Sequence, residues 1–497
     1  MTQVQRRSTS DHLREGSLSL TQVLFQSVAH MGPTQAVNFI LLFGFAFAGP
    51  ALPLSAALAL LAVVLIANCV GQLAKQMPSA GGLYSYASSA VGSKGGFMVG
   101  WSFLVVELLV PFGYGMIGGV AMQELLENQF GISGTWWIWT VALIALFAYL
   151  NYRSVELSTS VGVILGVIEV VIILALAVYM IVLAGNSNTL AVFNPANALE
   201  GDWSGVFKGM VFVMLAAQGF EAAAPLGEEA RNPRRTVPRA ILLAALIVGA
   251  FYLVAAYGTV MGWGFDRMAS YAENPDPWVT LARTFWGVGW ILVFFAIMNS
   301  VLAGGNAGAI ASTRTLYAMG RTNVLPSVLG RTHPVHQTPH VAVLVTAVIA
   351  GALALAGGFY WGPVDALGIA GTVITLLALL VYITTCIGCA VYYLRERREE
   401  FNPILHGAIP AAATLVLLAP VYFQFNPLPE YPILWGTWFT LVALLAGVAI
   451  LIFASLRRQR ALDAVQEAFA EREDGRPRES DPVGPEVDET TKREDRR

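Results

Sequence analysis

Three carboxylates, Glu107, Glu169 and Glu221, lie in strongly apolar stretches of this 497-residue chain, and they are where chemistry would concentrate. A carboxylate at the middle of a membrane helix costs about 2.5–3.5 kcal/mol even on the lenient insertion scale, so it should face an interior site rather than lipid. Glu221 has the most telling surroundings. An apolar half-helix, 206–217, runs into Gln218-Gly219-Phe220-Glu221-Ala222-Ala223-Ala224-Pro225 and then into polar sequence from Glu228 to Arg239. This reads as a membrane helix that breaks halfway. Backbone groups freed at membrane depth cost several kcal/mol each unless protein or a watery cavity satisfies them, which points to half of a substrate site. Carbonyls freed over Gly219, Phe220, Glu221, Ala222 and Ala223 would end a half-helix and attract a substrate ammonium. A Gly/Pro kink in a packing helix, with a neutral hydrogen-bonded Glu221, is the alternative.

A second interruption, His30-Met31-Gly32-Pro33-Thr34, stands in the first apolar stretch. Unwound chain from Ala29 to Thr34 would offer amides at the start of the second half-helix, an anion-binding arrangement. Donors remain at Met31, Gly32 and Thr34, but Pro33 has no N–H to give. His30 would hydrogen-bond substrate or titrate near neutral pH, or else serve structurally by capping freed carbonyls. Ser300 is a possible hydroxyl ligand for a cation, although most membrane serines bond back to their own helix. Glu107 reads equally as structural or vestibular.

Other groupings carry less. Cys386-Ile387-Gly388-Cys389 has redox or zinc spacing, but in an unbroken apolar helix small residues one turn apart read as packing. His333, His336 and His340 resemble a metal cluster, yet Pro334 and Pro339 break the helix that would align them, so a solvated connector is the better reading. No ordered nucleophile, metal or cofactor motif is recognised, so an enzyme is not expected and neither a metal nor a cofactor is implied.

The elements that must position these residues follow from composition. At 56% hydrophobic and 12% charged, the chain departs from soluble domains, which carry about 25% charge, and reads as an all-α integral membrane protein. A net charge of −3 gives no nucleic-acid footprint. At roughly 20 apolar residues per span, twelve spans are expected: 18–48, 51–74, 97–122, 134–150, 158–184, 205–229, 237–262, 285–315, 341–357, 364–394, 405–424 and 432–456. With both termini cytoplasmic, nineteen Lys and Arg fall on the inner side against two outside, as the positive-inside rule asks. The first seventeen residues are polar and lack a signal peptide's apolar core, so the first span would do the targeting.

Broken spans one and six stand five apart, the pattern of a transporter built from two inverted repeats with a midplane site. The expected organisation is a cytoplasmic tail 1–17, repeat one over 18–184, an extracellular loop 185–204, repeat two over 205–394, two further helices over 405–456, and a cytoplasmic tail 457–497. The tail's Pro, Gly, Glu, Asp and Arg content suits disorder after a short amphipathic extension.

Pro78-Ser79-Ala80-Gly81-Gly82-Leu83-Tyr84-Ser85-Tyr86 resembles the signature of the amino acid-polyamine-organocation (APC) permeases. So does the Gly-Phe-Glu, Glu-Glu, Asn-Pro-Arg-Arg, Val-Pro-Arg series from Gly219 to Arg239. Asn306 followed by Ala318-Met319-Gly320-Arg321 and Leu325-Pro326 is a third match, and Thr338-Pro339 a weaker fourth. Together they cover most of both repeats in order. The resemblance implies a secondary transporter in the plasma membrane that moves an amino acid or related amine by alternating access, probing a proton or sodium gradient, with proton symport favoured. It implies Phe220 as an occluding aromatic, against a lipid-facing or core role, and Glu221 as a link to the inner gate. Some proton-coupled relatives carry a lysine near the place of Glu169, and this sequence has a carboxylate there. Coupling is therefore expected through Glu169, Glu221 and Ser300, with the ion left open. A polyamine exchanger, an amino-acid sensor and a channel-like protein on the same scaffold are the competing functions.

Overall fold

Long apolar runs close their own backbone hydrogen bonds as helices, the open-ended structure that lipid tolerates. The computed structural model describes residues 18–77, 82–153, 159–199, 201–227, 230–321, 325–336, 338–426 and 428–457. Apart from Arg457, which ends a helix, the expected tails, 1–17 and 457–497, lie outside the described residues, as do the motif residues 78–81, Glu228 and Glu229. The described chain is helical, with one isolated bridge pairing Leu18 with Ala230.

In chain order the main helices are α1 (Leu20–Met31), α2 (Leu41–Ala48), α3 (Leu52–Gln76), α4 (Leu83–Phe130), α5 (Trp136–Arg153), α6 (Thr159–Ala184) and α7 (Trp203–Ala217). They continue as α8 (Pro233–Trp263), α9 (Pro277–Trp286), α10 (Trp290–Arg321), α11 (His340–Trp361), α12 (Pro363–Arg395), α13 (Ile409–Phe425) and α14 (Leu434–Arg457). Among the described residues, ten helical stretches are long and apolar enough to cross a bilayer. One of them, Leu20–Gln76, joins two expected spans, while Trp136–Arg153, expected as the fourth, is not among the ten.

Residues 78–81 of the Pro78-to-Tyr86 signature lie outside the described residues. Its described part begins α4 after Gly82, and Gly92, at φ +80°, kinks that helix before its long apolar run. Helix α12 lies at the centre, with 83% of its apolar window buried, while the corresponding window of α14 is 17% buried and belongs to the periphery. Around that centre α3 packs along α8, and α4 along both α10 and α12.

Both interruptions foreseen in the sequence are present, each with its own form. Helix α1 starts on a capping box, Ser19 with Gln22, and stops at Gly32 in the left-handed conformation (φ +52°). Helical chain resumes at once with Pro33–Gln35, passes through a π-helical stretch Ala36–Ile40 and continues as α2. The break is thus one residue wide, narrower than the expected 29–34, because Pro33 is preorganised for a first helical position where no N–H is required. Helix α7, capped by Asp202, ends at an extended Gln218 and a Gly219 at φ +108°, after which Phe220–Leu226 forms a 3₁₀ helix. The entry to α1 and the chain beyond that 3₁₀ helix are joined, since the Arg231 N–H donates to the Leu18 carbonyl at 2.8 Å.

Candidate functional site

The two breaks touch. A Cβ built on Gly219 would lie 2.5 Å from Cδ2 of His30, and one built on Gly32 would lie 2.3 Å from the Tyr114 hydroxyl. Glycine at both points leaves room for the Tyr114 side chain against α1 and for His30 and the Met31 backbone against the α7 break, at φ values that glycine adopts without strain.

Backbone groups freed at the breaks are largely taken by protein. The Tyr114 hydroxyl donates to the His30 carbonyl at 2.8 Å, and the Tyr252 hydroxyl to the Ala216 carbonyl at 2.7 Å. Ser27 on α1 donates to the Phe220 carbonyl at 2.9 Å and accepts the Ala223 N–H at 3.0 Å. Glu221 accepts the Gly219 N–H at 3.1 Å and the Tyr382 hydroxyl at 2.8 Å. Ser27, Tyr252 and Tyr382 lie on otherwise apolar helix faces, and their hydroxyls at break depth were the signal the sequence offered for them.

Beside the breaks opens a cavity lined by α1 and the chain after it, α4, α7 and α12. Phe39, Phe43, Phe212, Ile117, Leu367 and Ile374 make much of its wall; His30, Gln35, Tyr114 and Gln218 are its polar members. Buried His30 Nδ1, Gln35 Oε1 and Gln218 Nε2 have no hydrogen-bond partner. Unmet buried polar atoms cost about 1–3 kcal/mol each and mark where a ligand has something to satisfy.

Of the expected site residues, His30 and Met31 line this cavity. Gly32, Thr34 and Gly219 are buried next to it, the Thr34 hydroxyl without a partner, and Ala29 is half-buried in the last turn of α1. Phe220, Glu221, Ala222 and Ala223 are not among the lining residues. Phe220, fully buried, packs against Tyr382 with ring centroids 5.5 Å apart. The 3₁₀ geometry gives the reason: at three residues per turn, side chains after Gly219 point along directions a continued α-helix would not give them. Gln35, Gln218 and Tyr114 were not anticipated.

The buried acids fall into three settings. Glu107 Oε2 stands 3.6 Å from His30 Nε2, beyond hydrogen-bond length. Glu169 on α6 accepts from Asn299 at 2.6 Å, with Ser300 buried one residue further along α10. Among the described residues no buried Lys or Arg accompanies them. At one end of the site, Asn38 in the π-helical stretch donates to Asp276 at 2.9 Å and accepts the Trp278 N–H at 2.9 Å, tying the cavity wall to the start of α9. Burial pushes the Asp276 carboxyl up to about 7, a shift the Asn38 bond opposes.

His333 and His336 stack with centroids 4.9 Å apart and both meet the Tyr152 ring; no described group has the arrangement of a metal site. The three cysteines are buried free thiols.

Comparison with known proteins places this geometry in context. The profile of a family described as amino acid permease matches residues 17–454. The low-affinity putrescine importer PlaP of Escherichia coli (strain K12) is 29% identical over 84% of this chain and 96% of its own length. The branched-chain amino acid permease BcaP of Lactococcus lactis is 28% identical, over 83% and 89%. Cationic amino acid transporter 4 of Mus musculus is 28% identical over 62% of this chain and 50% of its own.

Proposed function

The chain belongs to the amino acid permease family, and from that premise we propose that it carries an amino acid or a related amine across the cytoplasmic membrane by alternating access, driven by protons. As a permease it is a multi-pass membrane transporter and not an enzyme. The observation that carries the reading is the cavity beside two touching helix breaks, apolar in its walls and holding unpartnered polar atoms. In this reading twelve spans form two inverted repeats of five, 18–184 and 205–394, with 405–456 outside them and both termini cytoplasmic. The substrate then meets His30 and Met31 at the cavity wall, with Ala29, Gly32, Thr34 and the 219–223 segment framing it and Phe220 and Glu221 acting on closure.

Coupling is assigned to Glu169, with Ser300 and Glu221 in support. Buried carboxylates with no buried Lys or Arg among the described residues need a proton or an imported cation for neutrality. Glu169→Gln mimics a permanently protonated side chain. In proteoliposomes it should still exchange substrate but should no longer accumulate it when a pH gradient is imposed. Accumulation at the wild-type level would remove Glu169 from the mechanism, and wild-type uptake that collapses without sodium would replace the proton with sodium. Mere equilibration of solute by the wild type would make the protein a channel.

A further inference from the structure

Four features of the cavity bear on what it accepts. Its lining includes no Asp, Glu, Lys or Arg side chain. Its walls are aromatic and branched, with Phe39, Phe43, Phe212 and Leu367 prominent. Gln35, 1% exposed, leaves its Oε1 acceptor unmet, and Gln218, 8% exposed, leaves its Nε2 donor unmet. The third unmet atom, His30 Nδ1, donates or accepts according to its tautomer.

We propose that Gln35 and Gln218 are the specificity-determining polar pair of this cavity, selecting a zwitterionic amino acid with a large apolar side chain over a diamine. The inference rests on the reading of the cavity as the transport site. An ammonium offers only donors and satisfies Gln35 Oε1; a carboxylate offers only acceptors and satisfies Gln218 Nε2. A zwitterion supplies both from one carbon and lays its side chain on the aromatic wall. A diamine has two donors and no acceptor, so the Gln218 amide stays unmet and the second charge meets no anionic side chain among the lining residues. Gln218 suits a carboxylate for a further reason: Pro33 removes one backbone N–H from the α1 break, and a side-chain amide on the facing break supplies a donor in its stead. Because both groups are neutral, net charge in the ligand is disfavoured and shape is read by the rings.

The test uses wild-type protein in proteoliposomes with labelled L-leucine, L-phenylalanine, L-arginine, 3-methylbutylamine and 1,4-diaminobutane, together with Gln35→Leu and the isosteric Gln218→Glu. Leucine or phenylalanine should bind at least about tenfold more tightly than 3-methylbutylamine, and 1,4-diaminobutane more weakly still. Gln35→Leu should weaken leucine at least about tenfold while raising or preserving the melting temperature, because it buries an apolar group in place of an unmet carbonyl. Gln218→Glu should reverse the order, favouring 3-methylbutylamine over leucine. Uptake of arginine or 1,4-diaminobutane in preference to leucine and phenylalanine overturns the inference and leaves the transport reading standing. A Gln218→Glu protein that keeps the wild-type order also overturns it. Absence of uptake for the whole panel overturns both. Should neither variant fold, the wild-type ranking alone decides.

Discussion

The first and second helix breaks solve the same problem with opposite economy. At Gly32 one left-handed residue interrupts an otherwise continuous helical path, and Pro33 restarts it. At Gln218 and Gly219 the helix stops, and the following seven residues are held as a 3₁₀ helix by outside partners: Ser27 from α1 and Tyr382 from α12. The first break thus rests mainly on its own Gly-Pro sequence, with one outside hydrogen bond from Tyr114, and the second leans more on its neighbours, Ser27 and Tyr382. A self-supporting break can stay fixed while a neighbour-supported one rearranges, since the latter gives up its shape whenever those neighbours move.

The largest effect that could break this comparison comes from Gly219. Gly219→Val would force a branched side chain into φ +108° and against the His30 ring 2.5 Å away. Backbone strain alone costs about 1–3 kcal/mol, so transport by reconstituted protein should fall by about a hundredfold or more. Gly32→Ala should also be destabilising, because its Cβ would meet the Tyr114 hydroxyl and ring, and its cost should be non-additive with that of Tyr114→Phe in a double-mutant cycle. A Gly32→Ala protein as stable as wild type would show that the first break does not depend on its glycine.

Next in size, Ser27→Ala and Tyr382→Phe remove supports of the second break. Each leaves a buried polar group unmet, a loss of about 1–3 kcal/mol in thermal or denaturant unfolding. In a double-mutant cycle the two should be non-additive if both hold one 3₁₀ element; strict additivity would show that they support separate structures.

The smallest effect concerns Asp276. A carboxyl raised from its ordinary 3.8 to about 7 contributes stability that is fully present below the lower value and lost as pH rises through the upper one. The melting temperature should thus decline between about pH 4 and pH 7 and level off above that, by about 2–4 °C, and Asp276→Asn should flatten that decline. An unchanged slope in the variant would transfer the pH dependence to another group.

Most of the fold could be read in advance, because the apolar runs had to be helices and Gly32-Pro33 and Gly219 had to interrupt them. The two breaks were read as halves of one site, but their contact, Gly219 against the His30 ring, is visible only in the structure. The cavity was harder. Gln35 and Gln218 flank the interruptions but have no charge or ring to announce them, and a glutamine in sequence does not say whether its amide is satisfied. Phe220 and Glu221 were assigned to the substrate side on the expectation of freed carbonyls, whereas the 3₁₀ turn directs Phe220 to Tyr382 and Ser27 takes the Phe220 carbonyl. Direction after a break depends on turn type, and composition does not specify that.

The backbone bond from Arg231 to Leu18 has a mechanical consequence. It stitches the start of the first broken helix to the chain just past the second, at points 213 positions apart in the sequence. Two segments pinned at one point lose independent translation there and keep only rotation about the pin. Tilt of α1 therefore carries the entry of α8 with it at that point, and the two can differ there only by rotation, where two unlinked segments would also slide past one another.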